Sequence, residues 1–386
     1  MIINNPTRNY IYFNRKSNQI HYDLCEIINI DLIRNAILKA HVKNISNFFS
    51  RPDLYQEVIY GINLIPPRSR WYFDGNIFHC LNERNVSSNF KSQSSDLLQI
   101  AKRLSSVFDN KKIAIELSGG LDTSIVIGIM KHLGFDPFLV GMRSSRYELR
   151  TESFIQDKYA ESFSKVSLLD ASASLPFSNL KSTPLHQYPS SSSLYYMHAL
   201  CIANECKKEE INVILSGMGF DALLCESVNK IENNTMPNNW YTWMLDDNWF
   251  KENIYSKYNM SYSSGAASQL IIKSIWALRK TQKEDLKKWW ARNEFKEYLP
   301  TELVKYSYKA DNSGGFLDGF LNSKNDISDI FNVAYDITKF KEFSTSELNA
   351  LYANVHLVDE NRDKLILGRV SFANWIYGLV RENIIH

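Results

Sequence analysis

The residues best suited to do chemistry lie in one short string, SGGLDTS, at positions 118–124. Its two glycines would let the backbone approach a phosphate closely, and the N–H groups of a following helix would attract an anion. Three hydroxyls, from Ser118, Thr123 and Ser124, can donate to phosphate oxygens. The carboxylate of Asp122 can hold a Mg²⁺ that bridges such oxygens. The string therefore predicts a phosphate site, and a tight turn without a ligand is the alternative.

The segments around this string predict a parallel sheet with helices on its faces. Residues 113–117 read as a buried strand, apolar apart from Glu116, and a helix follows that ends near Gly134. Further strands are predicted over residues 137–142, 167–169 and 212–215, and helices over residues 152–163 and 194–206. This alternation predicts an α/β fold with a doubly wound parallel sheet, whose ligand lies at the carboxyl ends of the strands.

The string SGGLDTS lacks the Gly-Lys-Ser/Thr of a Walker A loop. It resembles the pyrophosphate loop (PP-loop) of ATP pyrophosphatases, in the version found in the asparagine synthetase branch. The resemblance implies an adenine nucleotide alpha hydrolase-like fold that binds ATP and Mg²⁺ and cleaves ATP between the α and β phosphates. The residues that it implies for nucleotide binding are Leu117, Ser118, Gly119, Gly120, Leu121, Asp122, Thr123, Ser124, Met142, Ser216 and Gly217.

A second string, SGMGFD at positions 216–221, follows the predicted strand at 212–215. It resembles the second signature of the asparagine synthetase family, Ser-Gly-Glu-Gly-x-Asp-Glu, and this implies that Asp221 joins Asp122 as a Mg²⁺ ligand. Two carboxylates at neighbouring strand ends can hold the metal that neutralises departing pyrophosphate. Met218 and Ala222 replace the two glutamates of that signature. Lasso-peptide macrolactam cyclases tolerate such replacements, so the string is most similar to theirs.

Residues 1–90 are predicted to form a β-rich module, with strands over residues 10–14, 19–24, 58–67 and 71–78 and one helix over residues 30–42. The run YGINLIPPRSRWYFDG resembles the end of the glutaminase-type domain that precedes asparagine synthetases. Ile2 stands where that domain's reaction requires cysteine, so we expect a truncated remnant without glutamine hydrolysis. The predicted domains are therefore this module, residues 1–90, and a ligase domain, residues 91–386.

Two segments of the ligase domain allow two interpretations each. Residues 170–192, rich in Ser and Pro, are predicted to form either an exposed loop or a segment over the active site. Residues 225–341 are predicted to form a mostly helical insert. Its aromatic residues from Trp240 to Tyr255 indicate a buried core or, less simply, a groove for a peptide. Within the insert, a basic helix containing Lys287 and Lys288 is predicted to expose its charges to solvent.

In the C-terminal region, the resemblance does not decide which residue is the catalytic lysine. The run GRVSFAN at 368–374 resembles the family's Arg-Val-Pro-Phe-Leu-Asp segment, after which the family has a lobe with the lysine that stabilises the reacting phosphate. A rival alignment assigns that lysine to Lys364. The predicted catalytic residues are thus Asp122, Asp221 and Lys364, with the alternative that the catalytic lysine is missing or is supplied by a second chain.

Composition excludes several other classes of function. The formal net charge of +2 gives no electrostatic basis for binding nucleic acid or a membrane surface, and no apolar run reaches 18 residues. The five cysteines, without a Cys-x-x-Cys pair, indicate reduced and mostly buried thiols. No secretory signal is evident, so a cytoplasmic protein is expected.

The resemblance implies an ATP-dependent carbon–nitrogen ligase that releases AMP and pyrophosphate. The expected reaction is macrolactam formation on a ribosomal precursor peptide, with a peptidase and a leader-binding protein as partners. Two alternatives are a small-molecule amide ligase of the asparagine or β-lactam type and a non-catalytic subunit.

Overall fold

The structure of the protein, a computed structural model, describes most of the chain after residue 108 and short pieces before it. The long described stretches are residues 110–132, 134–146, 150–186, 188–218, 249–264, 288–305, 313–355 and 360–385. Before residue 108 it describes residues 2–5, 11–15, 17–23, 57–59, 62–65, 69–73 and 78–80, with a few single positions. Most of the helix predicted over residues 30–42 thus lies outside the described residues.

The chain divides into two compact units. The first comprises Met1–Ser88, Phe177–Tyr196 and Gly319–His386, and the second comprises Asn89–Pro176 and Met197–Asp318. The division at Ser88 falls close to the predicted boundary at residue 90. The later segments of the first unit fall within the predicted ligase domain.

The N-terminal part of the first unit is built from two antiparallel sheets. Its strands are β1 (Ile2–Asn5), β2 (Ile11–Asn14), β3 (Gln19–His21), β4 (Glu57–Ile59), β5 (Ile62–Ile65), β6 (Ser69–Phe73) and β7 (Phe78–Cys80). One sheet has the order β1-β6-β7 and the other β3-β2-β5-β4. The β-rich reading of this region is confirmed. The runs predicted over residues 58–67 and 71–78 each cover two strands, β4 with β5 and β6 with β7, and β1 was not predicted.

The second unit contains a five-stranded sheet in which every strand runs parallel to its neighbours. The strands are β8 (Ile113–Glu116), β9 (Phe138–Arg143), β10 (Val166–Asp170), β11 (Val213–Ser216) and β12 (Ser261–Ser264). Between them lie α1 (Leu121–His132), α2 (Arg150–Ser162) and α3 (Tyr196–Lys208). An α/β fold with a parallel sheet, compatible with double winding, is therefore confirmed.

The core of the second unit forms where helices cover this sheet. Ile113, Ile115 and Leu215 from the strands are buried with Ile125 of α1 and Tyr159 of α2. Two short helices, α4 (Trp289–Glu294) and α5 (Thr301–Lys305), add Trp290 and Leu303 to the same cluster. α1 ends before Gly134, whose φ of +79° matches the predicted helix stop. Three-residue to five-residue 3₁₀ helices at Ala171–Ser174, Leu180–Ser182, Ser191–Tyr195 and Tyr255–Tyr258 complete the connections in the two units.

The C-terminal half of the first unit is helical. After α6 (Ser313–Asn322) come α7 (Lys324–Thr338), the 3₁₀ helix Lys341–Phe343, α8 (Thr345–Ala353) and α9 (Glu360–Arg381). The hydroxyl of Ser344 accepts the backbone N–H of Glu347 and caps α8, as a Ser-x-x-Glu sequence predicts. In the described part of the chain, none of the helices has the length and the apolar composition needed to cross a lipid bilayer.

The segment at 170–192 is not an exposed loop, so that interpretation was wrong. Phe177, Leu180 and Tyr188 are buried. The ring of Phe177 packs edge-on against that of Phe320, and the indole N–H of Trp375 donates to the carbonyl of His186 at 2.9 Å. Apolar residues scattered among serines and prolines lie against the helices of the first unit, because burial there outweighs the local turn preferences.

Candidate functional site

The strand order brings the two signature strings together. The sheet has the order β10-β9-β8-β11-β12, so the chain builds outward from β8 on one side and then returns to the other side with β11. The carboxyl ends of β8 and β11 are thus the point where the winding reverses, which in open parallel sheets is the ligand crevice. The register pairs Leu215 with Ile115, so the strings after β8 and β11 begin side by side.

The glycine loop, residues 118–120, is tied together by its own side chains. The hydroxyl of Ser118 accepts the N–H of Gly120 at 3.1 Å and lies 3.0 Å from the hydroxyl of Thr123. The hydroxyl of Ser124 donates to the carbonyl of Gly120 at 2.8 Å. Ser124 is buried, so its hydroxyl supports the loop from the protein interior. These bonds hold the loop directly in front of the first turn of α1, whose N–H groups have no acceptors within the helix.

Gly119 has a φ of +82°, in the left-handed region that favours glycine. A Cβ at this position would collide with the backbone carbonyl of Glu152 at the start of α2. The loop is therefore fixed both by its own bonds and by close backbone contact with α2, and Gly119 cannot be replaced without moving one of them.

The start of the second string lies directly on α1. A Cβ on Gly217 would lie 2.5 Å from the backbone N of Thr123 and 2.8 Å from the backbone C of Asp122. Ser216 is buried, and its hydroxyl accepts the N–H of Met218 at 3.3 Å. The two strings thus meet at the first turn of α1, with no room for a side chain between them.

Gln156 of α2 connects the ends of β8 and β9. Its side-chain amide donates to the carbonyl of Leu117 at 2.9 Å and to that of Met142 at 3.0 Å. Only 2% of Gln156 is exposed. These bonds satisfy two carbonyls that lie beyond the ladder of β8 and β9, and they fix the spacing of two segments predicted to contact the nucleotide. The sequence signal for Gln156 was a polar residue within the buried stripe of α2, beside Ile155 and Tyr159.

Lys288 supplies a cation that the sequence reading missed. Its Nζ lies 2.6 Å from Oδ1 of Asp122, and the two side chains are 13% and 22% exposed. Lys288 precedes α4 in the left-handed conformation, with φ of 56°. The prediction that it lies on a solvent-exposed face of a basic helix is therefore wrong. Trp290, two residues later, is buried in the core, so the start of α4 and Lys288 lie close to the core as well.

Glu152 places a carboxyl beside the loop. Its Oε1 lies 3.8 Å from the position that a Cβ on Gly120 would occupy. Burial raises the pKa of this carboxyl from 4.5 to about 7. A group that is half protonated near neutral pH therefore borders the loop.

The described residues contain most of the predicted nucleotide-binding set at one edge of the sheet. Leu117, Met142, Ser216 and the residues of the glycine loop and first turn of α1 lie at or just after the ends of β8, β9 and β11. Asp221 lies outside the described residues. Lys364 belongs to α9, but its side chain is outside them too. Within the described parts of the chain, no group of three or more His, Cys, Asp or Glu side chains is arranged to hold a metal ion.

Two other predictions concern residues behind the site. Cys206 is buried and Cys201 is half-buried, both as free thiols, in keeping with the core role expected for them. Trp249 and Tyr255 are buried, which confirms the core interpretation for these two aromatic residues. Trp240, Tyr241 and Trp243 lie outside the described residues.

A comparison with protein-family models gives no match for this chain, and a comparison with curated protein sequences gives none either. The chemical interpretation of the site therefore depends on the chain's own residues.

These residues could hold the ATP and Mg²⁺ that the resemblance implies. The loop and the first turn of α1 offer backbone donors beside an exposed Ser118. Asp122 already has a cation, the Lys288 ammonium, at its carboxylate. In nucleotide sites, Mg²⁺ is held by one or two such carboxylates, and phosphate oxygens and waters complete its coordination shell.

Proposed function

We propose that the chain is an ATP-dependent ligase of the PP-loop type, which activates a substrate carboxylate as an acyl-adenylate and joins it to an amine. Three features support the proposal: the parallel sheet, the glycine loop at its switch point and the second string against α1. The resemblance of both strings to the asparagine synthetase family supplies the reaction class.

The observation that carries the proposal is the position of Lys288. Its ammonium lies at the first turn of α1, where the helix dipole already makes the potential positive. The Asp122 carboxylate offsets one unit of the positive charge that the ammonium and the helix N-terminus provide together. A lysine held against a helix N-terminus and a glycine loop is an arrangement suited to a polyphosphate, because the ligand's several charges complete the balance.

Each residue has a distinct role in this proposal. The N–H groups of the glycine loop and of the first turn of α1 bind the β and γ phosphates, and Lys288 moves from Asp122 to a phosphate oxygen. Asp122 and Asp221 would hold Mg²⁺, which when bound neutralises charge on the phosphate oxygens. Ser216 orients the α-phosphate end.

The bond changes follow from this binding mode. A carboxylate oxygen of the substrate attacks the α-phosphorus, and the bond from that phosphorus to the β-bridging oxygen breaks, releasing pyrophosphate. The amine then attacks the acyl carbon, AMP leaves with the bonding electrons and the amine loses a proton. Cations beside the α and β phosphates accelerate the first step because negative charge grows there in the transition state.

The proposed substrate is a ribosomal precursor peptide that is closed into a macrolactam, with a peptidase and a leader-binding protein as partners. The frame Ser216-Gly217-Met218-Gly219-Phe220-Asp221, which lacks the glutamates of asparagine synthetases, supports this substrate class over free aspartate.

Titration calorimetry of the purified chain with Mg-ATP tests the nucleotide site. We expect binding that Mg-pyrophosphate competes with, and we expect Lys288→Met to weaken it at least about 10-fold, or ~1.4 kcal/mol. Lys165→Met is the control, because Lys165 is exposed and precedes β10, at the amino ends of the strands. No binding of Mg-ATP by the wild type, or equal binding by Lys288→Met, would contradict the proposed site.

Product analysis tests the reaction class. With [α-³²P]ATP, Mg²⁺ and a small-peptide extract as the source of carboxylates, the labelled product of turnover should be AMP. Labelled ADP would contradict the proposal. Binding without turnover in the presence of the two partner proteins would identify a non-catalytic subunit instead.

A further inference from the structure

Two polar side chains stand at the ends of the central strands, on the face of the sheet opposite to α1. Glu116 is the last residue of β8 and Ser216 the last residue of β11, and the register makes them neighbours. Residues paired across a ladder point to the same face. The alternate residues Ile115 and Leu215 lie in the cluster with α1, so Glu116 and Ser216 point away from it.

Two tyrosines meet these side chains. The hydroxyl of Tyr255 donates to Oε1 of Glu116 at 2.7 Å, and the hydroxyl of Tyr262 lies 3.0 Å from Oγ of Ser216. Both tyrosines are buried, Tyr255 at 0% and Tyr262 at 5% exposure. Each strand end that begins a signature string is thus bonded to a tyrosine hydroxyl from the segment 255–264.

The two rings also contact each other. Their centroids are 4.5 Å apart and their planes differ by 11°, so the rings are stacked. Tyr262 belongs to β12, the edge strand, and Tyr255 to the 3₁₀ helix before it. The pair therefore connects this edge of the sheet to the ends of the central strands β8 and β11. Stacked aromatic rings in a close-packed interior have few alternative positions.

The bond from Tyr262 limits what Ser216 can do. The same Oγ accepts the N–H of Met218, the second residue of the loop that follows β11. Ser216 is therefore held in one rotamer, and its position fixes the turn that presses Gly217 onto the first turn of α1. Without the Tyr262 hydroxyl, this buried serine would lose one of its two partners.

We infer that Tyr255 and Tyr262 form a tyrosine brace that positions Ser216 and the loop after β11 against the glycine loop, and that Tyr262 is a positioning residue for polyphosphate binding. The inference rests on the proposed function, because it assumes that a phosphate is bound between these loops. The brace acts through Ser216 and does not touch the nucleotide.

The substitution Tyr262→Phe tests the brace, because it removes the hydroxyl and keeps the ring and its stacking. We expect Mg-ATP affinity to fall about 5-fold to 10-fold, while the thermal midpoint shifts by less than about 4 °C. Tyr258→Phe is the matched control: Tyr258 lies in the 3₁₀ helix of Tyr255, and its hydroxyl bonds Asn204 of α3 at 2.8 Å, away from both strand ends. Tyr258→Phe should bind Mg-ATP like the wild type.

A double-mutant cycle separates positioning from general packing. If Tyr262 acts through Ser216, the double variant Tyr262→Phe/Ser216→Ala should bind Mg-ATP no more weakly than Ser216→Ala alone. Additive losses, or wild-type affinity in Tyr262→Phe, would overturn the brace and leave the proposed function standing. No Mg-ATP binding by the wild-type chain would remove the proposed function, and this inference would fail with it.

Discussion

The two loops at the switch point are held in different ways. The side-chain hydrogen bonds of the glycine loop come from its neighbours in sequence, since Ser118 and Ser124 bond Gly120 within four residues; its one distant contact is that of Gly119 with the Glu152 backbone. The loop after β11 is fixed from afar: Ser216 bonds Tyr262, 46 residues later, and Gly217 presses on α1.

This difference decides which parts of the site a sequence string reveals. A loop that closes on its own side chains carries its geometry within a few residues. The geometry of a loop that depends on distant partners cannot be predicted from its own residues and becomes evident only in the folded structure. The substitutions below act on one loop, on the other or on their junction.

The largest effect is expected at the junction. Gly217→Ala would place a Cβ 2.5 Å from the backbone N of Thr123 and 2.8 Å from the backbone C of Asp122, and these atoms of α1 cannot move aside as a flexible side chain could. We expect at least a ~100-fold loss of Mg-ATP affinity, more than 2.7 kcal/mol. Gly315→Ala in α6 is the control, because a Cβ there meets nothing within 4 Å. Near-normal affinity in Gly217→Ala would show that the loops need not touch.

The next effect is on folding stability and is expected at Gln156 of α2, which supports the end of β8 just before the glycine loop. Gln156→Leu leaves the carbonyls of Leu117 and Met142 without these donors in a buried setting, which should cost about 2–4 kcal/mol of unfolding free energy. Urea unfolding measures it, with Glu161→Leu on the exposed face of α2 as the control. A change under ~0.5 kcal/mol would mean that water replaces the amide.

The Glu152 carboxyl should make stability depend on pH. Its pKa is raised to about 7 in the folded chain, so below about pH 4.5 it is protonated in both states and costs nothing. As the pH rises from 4.5 through 7, the folded state must bury the charge and loses on the order of 3 kcal/mol of stability. Glu152→Gln should therefore be more stable than the wild type at pH 8 and equal to it at pH 4.5. Parallel stability profiles for the two proteins from pH 4.5 to 8 would contradict this.

The smallest effect is expected within the glycine loop itself. Ser118→Ala removes the acceptor for the N–H of Gly120, but Ser124 still holds the Gly120 carbonyl through its hydroxyl and its N–H. Mg-ATP affinity should fall only about 2-fold to 5-fold, a loss of ~0.5–1 kcal/mol. A loss above 30-fold would indicate that the Ser118 hydroxyl carries the binding, and the contrast between the loops would then fail.

The predictions of strands from sequence show the same division between local and distant causes. β8, β9, β10 and β11 were predicted within one or two residues, because short apolar runs between turn signals identify buried parallel strands. β12, with the sequence Ser-Tyr-Ser-Ser, was not predicted. Three serines give no apolar run. The strand forms because it pairs with β11 and because the Tyr262 side chain is buried.

The candidate site divides similarly. The glycine loop was located by its residues, and the second string by its resemblance to a family signature. Lys288 and Gln156 were not, since each gains its role from a partner far away in sequence: Asp122 for the lysine, and the carbonyls of Leu117 and Met142 for the glutamine. The raised pKa of Glu152 depends on burial, which no short string encodes.

A crystal structure of the protein with Mg²⁺ and α,β-methylene-ATP, whose α–β bond cannot be cleaved, tests the central claim most directly. The account predicts the β and γ phosphates within hydrogen-bond distance of backbone N–H groups at residues 119–123. It also predicts that Nζ of Lys288 leaves Asp122 for a phosphate oxygen. A nucleotide bound elsewhere, with the Lys288–Asp122 ion pair still closed, would contradict the account.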